Sequence, residues 1–450
     1  MWEQFKAKTG QAPRKIVLVL GLAVFIGPPW GSAVMRAQTQ ETPGTSLTLT
    51  DAVAQAVRDN PELKAQRARW EAMQERPAQA VSLPNPVFVY SGMDMTDGEN
   101  WPNTEEKRFM VEQALPWFGK RSLREGMAKK EAEAGQWELE ILTRDIVMQV
   151  KEGYFDLYAV QHAIAVTHQE EGVVQGIVKV AETMYATGAR GQVDVIKAQT
   201  EITMLKQRLL EMLAQETTLK AKLNSLLNRR ADEPLGTATT PPESAFNGAT
   251  EQLFALAAAN RVEVRSAQAQ IERYELEKKL MARESRPDYS LGVEYRDFRH
   301  GSDMVMIQVG IELPVWRSRY GAAVREAEKM RAASLAARQA TERQIALDVQ
   351  DASFKLLTAQ RTLELYKTEL MPQAEARFNA SEAAYRTGQT DFTDLLESQR
   401  FLLSTRIMAV MAEGNLGMQS ARLERAVGRD LKTVASPGPS GGTQGVGHEE

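Results

Sequence analysis

The sequence contains no cysteine and only four histidines among its 450 residues. Without cysteine the chain can form no disulfide, thiolate nucleophile, cysteine-based metal site or cysteine-linked lipid anchor. The histidines show no metal-ligand spacing, because His162 and His168 are six residues apart and do not share a helical face. No nucleophile elbow, HExxH sequence or paired-carboxylate motif in a glycine-rich context occurs either. We therefore predict that the protein is not an enzyme and has no catalytic residue, cofactor or bound metal.

The chain also lacks an excess of charge of either sign and an apolar run long enough to span a membrane. Its 55 Lys and Arg residues are interleaved with 59 Asp and Glu residues, which indicates solvated helix faces and no nucleic-acid surface. The apolar run at 16–26 is shorter than the ~20 residues of a membrane helix. Because basic residues precede it and small residues follow it, we interpret 1–37 as a secretory signal peptide, with Ala33 and Ala37 as candidate cleavage positions. The alternative is an uncleaved inner-membrane anchor.

An internal repeat is present, at an offset of about 200 residues. The sequence YATG at 185–188 matches YRTG at 385–388, and the dipeptide LP at 115–116 matches LP at 313–314. A nearly constant offset across such landmarks indicates duplication of one structural unit.

The repeat and the local composition divide the chain into segments. The predicted segments are a signal peptide at 1–37, an N-terminal linker at 38–46, a first structural repeat at 47–228, a linker at 229–250, a second structural repeat at 251–428 and a disordered tail at 429–450. The linker and the tail are assigned from their content of Pro, Gly and other small residues.

Each repeat is predicted to run helix, strand, strand, very long helix, shorter helix, so the fold class is mainly α with a small β part. The strands are predicted at about 86–95, 108–116, 287–297 and 304–314, where apolar side chains alternate with polar or small ones. About 10 residues suffice for a tilted strand to cross a bilayer, although a soluble hairpin shows the same alternation.

The very long helices are predicted over 120–186 and 318–387, and Pro372 is the only proline inside them. Nearly 70 residues at ~1.5 Å each make a rod of about 100 Å, which requires a coiled-coil-like partner. Shorter helices, each about half as long, are predicted at about 50–81, 193–228, 250–285 and 392–428. The simplest packing stacks two short helices end to end beside each long helix.

The number of strands decides the oligomeric state if these strands span a membrane. Four strands cannot close a barrel, because about eight is the smallest number observed. Open strand edges in lipid would leave backbone groups without hydrogen bonds, at several kcal/mol each. Several chains must then share one barrel, so we predict an obligatory oligomer. The alternative is a periplasmic coiled-coil adaptor or structural protein without a membrane barrel.

Five segments of the chain resemble the TolC-type outer-membrane efflux family. They are LTLTDAV at 47–53, SLPNP at 82–86, VEQALPWFGKRS at 111–122, YATGARGQVDV at 185–195 and YRTGQTDFTDLL at 385–396. The sequence FGKR at 118–121 is most similar to the heavy-metal branch, which exports cobalt, zinc and cadmium or copper and silver. The resemblance covers about 47–428 and implies a location in the outer membrane that extends into the periplasm.

The resemblance implies a homotrimer whose strands form a twelve-stranded membrane β-barrel, continuous with a long α-helical periplasmic barrel. Such a trimer is a passive duct in a tripartite efflux pump. The implied partners are a periplasmic adaptor (a membrane fusion protein), an inner-membrane pump of the resistance-nodulation-division type and outer-membrane lipid. Heavy-metal cations are the expected substrate, and organic compounds are the alternative.

The resemblance also implies a gate at the periplasmic tip, beside the two turns. The matching candidates are Arg190, Asp194, Tyr385, Asp391, Asp394 and Glu397. Threefold symmetry would turn each acidic residue into a ring of three carboxylates that favours cations. The alternative for Asp391 and Asp394 is capping of a helix start, where acids are favourable anyway. Gly188 and Gly388 are predicted to permit the tight turns that touch the adaptor, plain helix C-caps being the alternative.

Overall fold

The computed structural model describes residues 46–93, 106–239 and 250–431. Within these residues the protein is mainly α-helical with a small antiparallel sheet, as predicted. The predicted signal peptide, the N-terminal linker up to residue 45, residues 240–249 of the linker and residues 432–450 of the tail lie outside the described residues.

Both repeats follow the predicted order of elements. The described first repeat comprises α1 (Leu49–Asp59), α2 (Pro61–Gln74), α3 (Arg76–Val81), β1 (Val87–Met93), β2 (Glu106–Leu115), α4 (Lys120–Ala186) and α5 (Gln192–Leu226). The described second repeat comprises α6 (Thr250–Asn260), α7 (Val262–Glu284), β3 (Asp288–Phe298), β4 (Met304–Glu312), α8 (Arg317–Leu365), a π-helical turn (Tyr366–Leu370), α9 (Met371–Arg386) and α10 (Phe392–Val427).

The leading helices are broken, so the expectation of a continuous helix over 50–81 and over 250–285 was wrong. Asn60 leaves the helical conformation with ψ 127°, and its Oδ1 accepts hydrogen bonds from the N–H groups of Glu62 (2.9 Å) and Leu63 (3.2 Å). The physical reason is Pro61, which disfavours the helical conformation of the residue before it and suits the first position of a new helix. In the second repeat the break falls at Arg261, next to Asn260.

The second long helix is interrupted where the first is not. Helix α4 runs unbroken for 67 residues, whereas a five-residue π-helical turn separates α8 from α9. Pro372 lies just after this turn. A proline inside a helix removes one backbone hydrogen bond and its ring clashes with the preceding turn, so the wider π turn accommodates it.

The predicted stacking of short helices beside the long one is confirmed in the first repeat. A buried cluster joins the end of α5 and the start of α1 to the middle of α4, and comprises Ala52, Ala56, Leu63, Ile146, Val150, Leu157, Leu223, Leu227 and Leu235. The side-chain amides of Gln55 and Asn60 donate to the carbonyls of Leu227 (3.4 Å) and Leu226 (3.0 Å). These bonds satisfy carbonyls at the end of α5 that have no partner within the helix.

The sheet joins the two repeats in the order β1-β2-β3-β4, with every neighbouring pair antiparallel. Its register places Phe88, Val111, Val293 and Ile307 in one row, and all four side chains are exposed. The adjacent row contains Val87, Glu112, Gly292 and Gln308. One face is therefore apolar and open, while the other is mostly polar or small. None of the helices in the described part of the chain is long and apolar enough to cross a membrane.

Candidate gate at the two helical turns

Each repeat has one tight turn between its last two helices. The turn of the first repeat lies at 187–191 between α4 and α5, and that of the second lies at 387–391 between α9 and α10. Gly188 and Gly388 adopt positive φ angles of 74° and 76°. A Cβ atom at either position would meet no atom within 4 Å. Glycine is therefore suited to these positions by its backbone conformation and not by lack of space.

The two turns pack against each other through a buried apolar cluster. Its members are Ile177, Ala181, Ala198, Tyr385, Phe392, Leu395 and Leu396. The first three come from α4 and α5, and the other four come from α9 and α10. The tip is therefore a single packed unit to which both repeats contribute.

Tyr385 is fully buried within this unit, and its hydroxyl donates to Asp194 Oδ2 at 3.4 Å. Its ring meets the ring of Phe392 edge-on, with the centroids 5.3 Å apart. The corresponding residue of the first repeat, Tyr185, is 49% exposed. The two turns are similar in sequence, but their tyrosines differ in environment, so the roles of Tyr185 and Tyr385 are not interchangeable.

Arg190 bridges the two turns. Its Nη2 donates to the backbone carbonyl of Thr390 at 2.7 Å, and its Nη1 lies 3.8 Å from Asp391 Oδ1. Its guanidinium carbon lies 5.3 Å from the ring centroid of Tyr385, in cation–π contact. Arg190, Asp194, Tyr385 and Asp391 are thus brought together, and we call these four residues the turn bridge.

Asp391, Asp394 and Glu397 are all exposed along the first turns of α10. Within the described residues the Asp391 side chain caps no backbone N–H, although the residue occupies the N-cap position. Asp394 Oδ2 accepts a hydrogen bond from Thr390 Oγ1 at 2.6 Å. Because these acids are spaced three residues apart, they follow one face of the helix. Asp394 and Glu397 therefore extend an acidic face beyond the turn bridge.

The turn bridge contains one guanidinium, two carboxylates and one tyrosine hydroxyl. Burial, and secondly the charge of Asp194, raise the pKa of Tyr385 to about 12. The hydroxyl therefore keeps its proton and remains a donor to the Asp194 carboxylate throughout the physiological range. Arg190 Nη1 lies 3.8 Å from Asp391 Oδ1, and the Asp194 carboxylate accepts a hydrogen bond from the Tyr385 hydroxyl, so the four residues keep one formal negative charge in excess.

Sequence analysis missed a second buried contact between the repeats, farther from the turns. Glu170 of α4 is fully buried and accepts hydrogen bonds from Gln399 Nε2 (3.0 Å) and Arg406 Nη1 (3.1 Å) of α10. Glu201 of α5 similarly accepts from Arg400 Nε at 2.8 Å. These residues lie within long charged helices, where no local pattern separates a buried acid from a solvated one. Among the described residues there is no cluster of three or more His, Asp or Glu residues suited to a metal.

The fold and the tip together define a class of protein: long helical hairpins, closed at one end by packed turns and continued at the other by a sheet with an open apolar face. The family model for "Outer membrane efflux protein" matches residues 52–229 and 253–429. This chain belongs to that family and is an outer-membrane efflux channel protein. The predicted family resemblance is therefore confirmed.

Comparisons with individual proteins agree with this assignment. The "Cobalt-zinc-cadmium resistance protein CzcC" of Cupriavidus metallidurans is 26% identical over 428 residues, which cover 92% of this chain and 100% of that protein. The outer-membrane channel OprN superposes with a TM-score of 0.73 at 18% identity, covering 85% of this chain and 90% of OprN. CusC superposes with a TM-score of 0.73 at 15% identity, covering 86% of this chain and 93% of CusC. These structural similarities establish the fold.

Proposed function

We propose that three copies of this chain close a twelve-stranded barrel in the outer membrane, continuous with an α-helical periplasmic barrel. The observation that carries this proposal is the four-stranded sheet of the described residues, whose outer strands β1 and β4 each have one edge without a partner strand there. Its apolar face is exposed, as expected for contact with lipid. A single copy would leave both edges unpaired in the membrane, which is unfavourable.

The strand number favours three copies over two. Two copies would form an eight-stranded barrel, whose interior is just wide enough to be filled by its own side chains. Three copies form a wider barrel that can carry solutes through an open lumen. The polar or small row of the sheet, which includes Glu112, Gly292 and Gln308, is suited to that lumen.

Exposed apolar side chains on the helices support assembly along the periplasmic part as well. On α5 they are Val193, Ile196, Met204, Leu210 and Leu213, and on α8 they are Met330, Leu335, Leu347, Phe354, Leu357 and Leu365. Apolar stretches of this length on a soluble surface are typical of protein contacts. We assign them to neighbouring copies in the helical barrel.

The cargo follows from the relative that carries a metal-resistance name. CzcC is named for resistance to cobalt, zinc and cadmium and matches along its whole length. The duct would accordingly carry divalent metal cations as substrate, passively and without chemistry, from an inner-membrane pump of the resistance-nodulation-division type. A periplasmic adaptor would join the pump to the turns at Gly188 and Gly388. The signal peptide at 1–37 would be removed on export.

The turn bridge and the acidic face of α10 would form the gate of this duct. Three symmetric copies would bring three sets of Asp391, Asp394 and Glu397 to the periplasmic mouth. A ring of carboxylates in a narrow opening concentrates the field and favours cations. We expect Asp394→Asn with Glu397→Gln to lower cation selectivity in single-channel recordings, while Glu71→Gln, an exposed acid on α2, leaves it unchanged. Unchanged cation selectivity in the double variant would contradict the proposed role of these acids in the gate.

The experiment that tests the function is the mass of the mature protein after detergent extraction from isolated outer membranes. A trimer in that fraction is expected. Deleting the chain should also increase retention of zinc, cobalt or cadmium in cells challenged with these metals. A water-soluble periplasmic monomer would instead favour the coiled-coil adaptor. Normal metal export in the deletion strain would contradict the proposal that divalent metal cations are the substrate.

A further inference from the structure

The chain contains a closed joint where the end of its first strand pair meets the beginning of its second. Asp288 Oδ1, at the start of β3, accepts hydrogen bonds from the Trp117 backbone N–H (2.6 Å) and from Lys120 Nζ (2.9 Å). Lys120 Nζ also donates to the carbonyl of Arg286 at 3.0 Å. The ring of Trp117 stacks on Tyr289, with centroids 5.7 Å apart. These contacts hold the segment that follows β2 against the segment that precedes β3.

The equivalent joint after the second strand pair is open. A groove of about 790 Å³ lies between the end of α7 and the start of α8, and the residues that line it include Met281, Leu313, Pro314, Val315, Tyr320 and Val324. Leu313 and Val315 are 67% and 65% exposed. These apolar side chains flank the end of β4, the strand whose outer edge has no partner among the described residues.

The strand registers show which residues of the two repeats are equivalent. Leu115-Pro116 matches Leu313-Pro314, so Glu112 and Gly310 hold the same place in their strands. Val87 pairs with Glu112, and Ser290 pairs with Gly310. Val87 is therefore equivalent to Ser290. The segment SLPN at 82–85 then corresponds to SRPD at 285–288, and the two sequences agree in their Ser and Pro positions.

We propose that β4 pairs with β1 of a second copy in the register that β2 and β3 use within one chain, and that the groove receives residues 83–85 of that copy. The inference rests on the proposed shared barrel and specifies its subunit joint. Within the chain, Ala114 pairs with Ser290 and Glu112 with Gly292. When each residue of β2 is replaced by its equivalent in β4, and each residue of β3 by its equivalent in β1, these pairs give the register of the joint. Glu312 then lies opposite Val87, Gly310 opposite Val89 and Gln308 opposite Ser91 of the neighbouring copy.

This register keeps the two faces of the sheet continuous. It places Ile311 opposite Phe88 of the neighbour, and both side chains are exposed on the apolar face, at 55% and 65%. Residues directly opposite each other in an antiparallel pair lie on the same face. A shift of one residue would bring Phe88 opposite Glu312 or Gly310 and reverse the two faces. The apolar band would then be interrupted at every subunit boundary.

The segment that would fill the groove is held in place by its own chain. Gln113 Nε2 donates to the carbonyl of Pro84 at 2.8 Å, and Arg121 Nε donates to the carbonyl of Val81 at 2.6 Å. Leu83 between these anchors remains 41% exposed. A preorganised segment loses little conformational entropy when it docks. Leu83 is thus an exposed apolar side chain just before β1. In the proposed joint it would lie beside the end of β4 of the neighbouring copy, where that copy's groove is open.

The open joint differs from the closed one in charge. Asp288 of the closed joint corresponds to Asn85, and Lys120 corresponds to Ser318. The subunit joint would therefore carry no counterpart of the Lys120–Asp288 ion pair. Arg317 also lines the groove, so the joint keeps a cation but not the buried ion pair. Because burying charged groups requires their desolvation, the lack of that pair suits surfaces that are exposed before they assemble.

Disulfide crosslinking tests the register, since the natural chain has no cysteine to interfere. Ser91→Cys with Gln308→Cys should give covalent dimers and trimers on non-reducing gels. The shifted pairs Ser91→Cys with Met306→Cys, and Val89→Cys with Glu312→Cys, share the same face but should not crosslink. A disulfide needs Cβ atoms ~3.5–4.5 Å apart, which opposite residues at ~4.5–5.5 Å reach with a small movement and diagonal residues at ~7–8 Å do not.

The outcomes separate this inference from the proposed function. Crosslinking of a shifted pair, or of no pair in a protein that remains a trimer by mass, overturns the register while the shared barrel stands. A monomer by mass overturns both. For the groove, Leu83→Asp should lower the temperature at which the detergent-extracted trimer dissociates, whereas Leu83→Met should not. Equal dissociation temperatures for Leu83→Asp and the natural chain would reject the docking of Leu83.

Discussion

At the scale of single residues, we expect the buried Tyr385 to make the protein less stable at alkaline pH. Its folded pKa is about 12, whereas an unfolded tyrosine titrates near ~10. Between these values the unfolded chain has lost the proton that the folded chain retains, so stability falls as pH rises from about 10 to 12. We expect Tyr385→Phe to reduce this alkaline loss, measured as the thermal unfolding midpoint against pH.

Tyr185→Phe is the matched control for this prediction, because Tyr185 occupies the same place in the first turn but is 49% exposed. Lysine side chains also titrate at alkaline pH, so the difference between each variant and the natural chain is the quantity to compare. An identical pH profile for Tyr385→Phe and the natural chain would show that burial of this hydroxyl does not determine the alkaline limit.

Arg190 is the residue on which the contact between the two turns depends most directly. Arg190→Ala removes the hydrogen bond to Thr390, the contact with Asp391 and the cation–π contact with Tyr385. It also removes the positive charge that lies 3.8 Å from the Asp391 carboxylate. We expect a larger single-channel conductance and more frequent opening than in the natural protein.

Arg190→Lys keeps the positive charge but not the forked hydrogen bonding of arginine. Its single-channel conductance should therefore lie between those of the natural protein and Arg190→Ala. Arg208, an exposed residue of α5 away from the turns, supplies the control substitution Arg208→Ala. If Arg190→Ala conducts like this control, the contacts of Arg190 do not determine the conductance of the channel.

At the scale of elements, the π-helical turn before Pro372 is a weak point that α4 does not have. The side chains around it hold α10: Tyr366 Oη lies 3.3 Å from Met408 Sδ, and Lys367 Nζ lies 2.7 Å from Glu413 Oε1. Pro372→Ala would let an α-helical hydrogen bond form where proline prevents it. One such bond contributes about 1 kcal/mol, so amides at 366–371 should exchange with deuterium about fivefold more slowly.

The equivalent residues of α4, at 166–171, provide the internal reference for that exchange measurement. They occupy the equivalent place in an unbroken helix and should be unaffected by Pro372→Ala. Equal protection at 366–371 in the two proteins would show that the π turn is set by its side-chain contacts with α10 and not by the proline.

At the scale of the whole molecule, Lys120 holds the two repeats together at the sheet. Its side chain is only 2% exposed and contacts Asp288 and Glu284. Lys120→Met removes the cation from both partly buried carboxylates, although Glu284 keeps its ion pair with Arg124 at 2.9 Å. The change should destabilise the protein by about 2 kcal/mol, less than for a fully buried pair because both acids are partly exposed. Denaturant unfolding of the detergent-extracted protein measures this change.

Lys129→Met is the control for the whole-molecule prediction, since Lys129 pairs with Glu125 on the same helix and is 62% exposed. Its loss should cost less than about 0.5 kcal/mol. Adding Asp288→Asn to Lys120→Met should recover part of the lost stability. Additive effects of the two substitutions would indicate that the residues do not act as a pair.

Much of the fold follows from local sequence patterns. The strands alternate with a period of two, the long helices lack internal proline up to Pro372, and glycine occupies both turns at positive φ. These signals act within a few residues, so the order and type of elements are readable without the tertiary structure. The break at Asn60 was also readable from Pro61, but the helical periodicity on both sides concealed it.

The candidate site shows what local patterns do not contain. The sequence by itself determined that the chain has two similar turns with acids after each, and hence where the candidate gate residues lie. Only the tertiary structure decided that Tyr385 is buried while Tyr185 is exposed, that Arg190 reaches Thr390 and Asp391, and that Lys120 is enclosed. The physical reason is that burial and ion pairing depend on which distant helices meet, and two similar local sequences do not specify which helices pack against them.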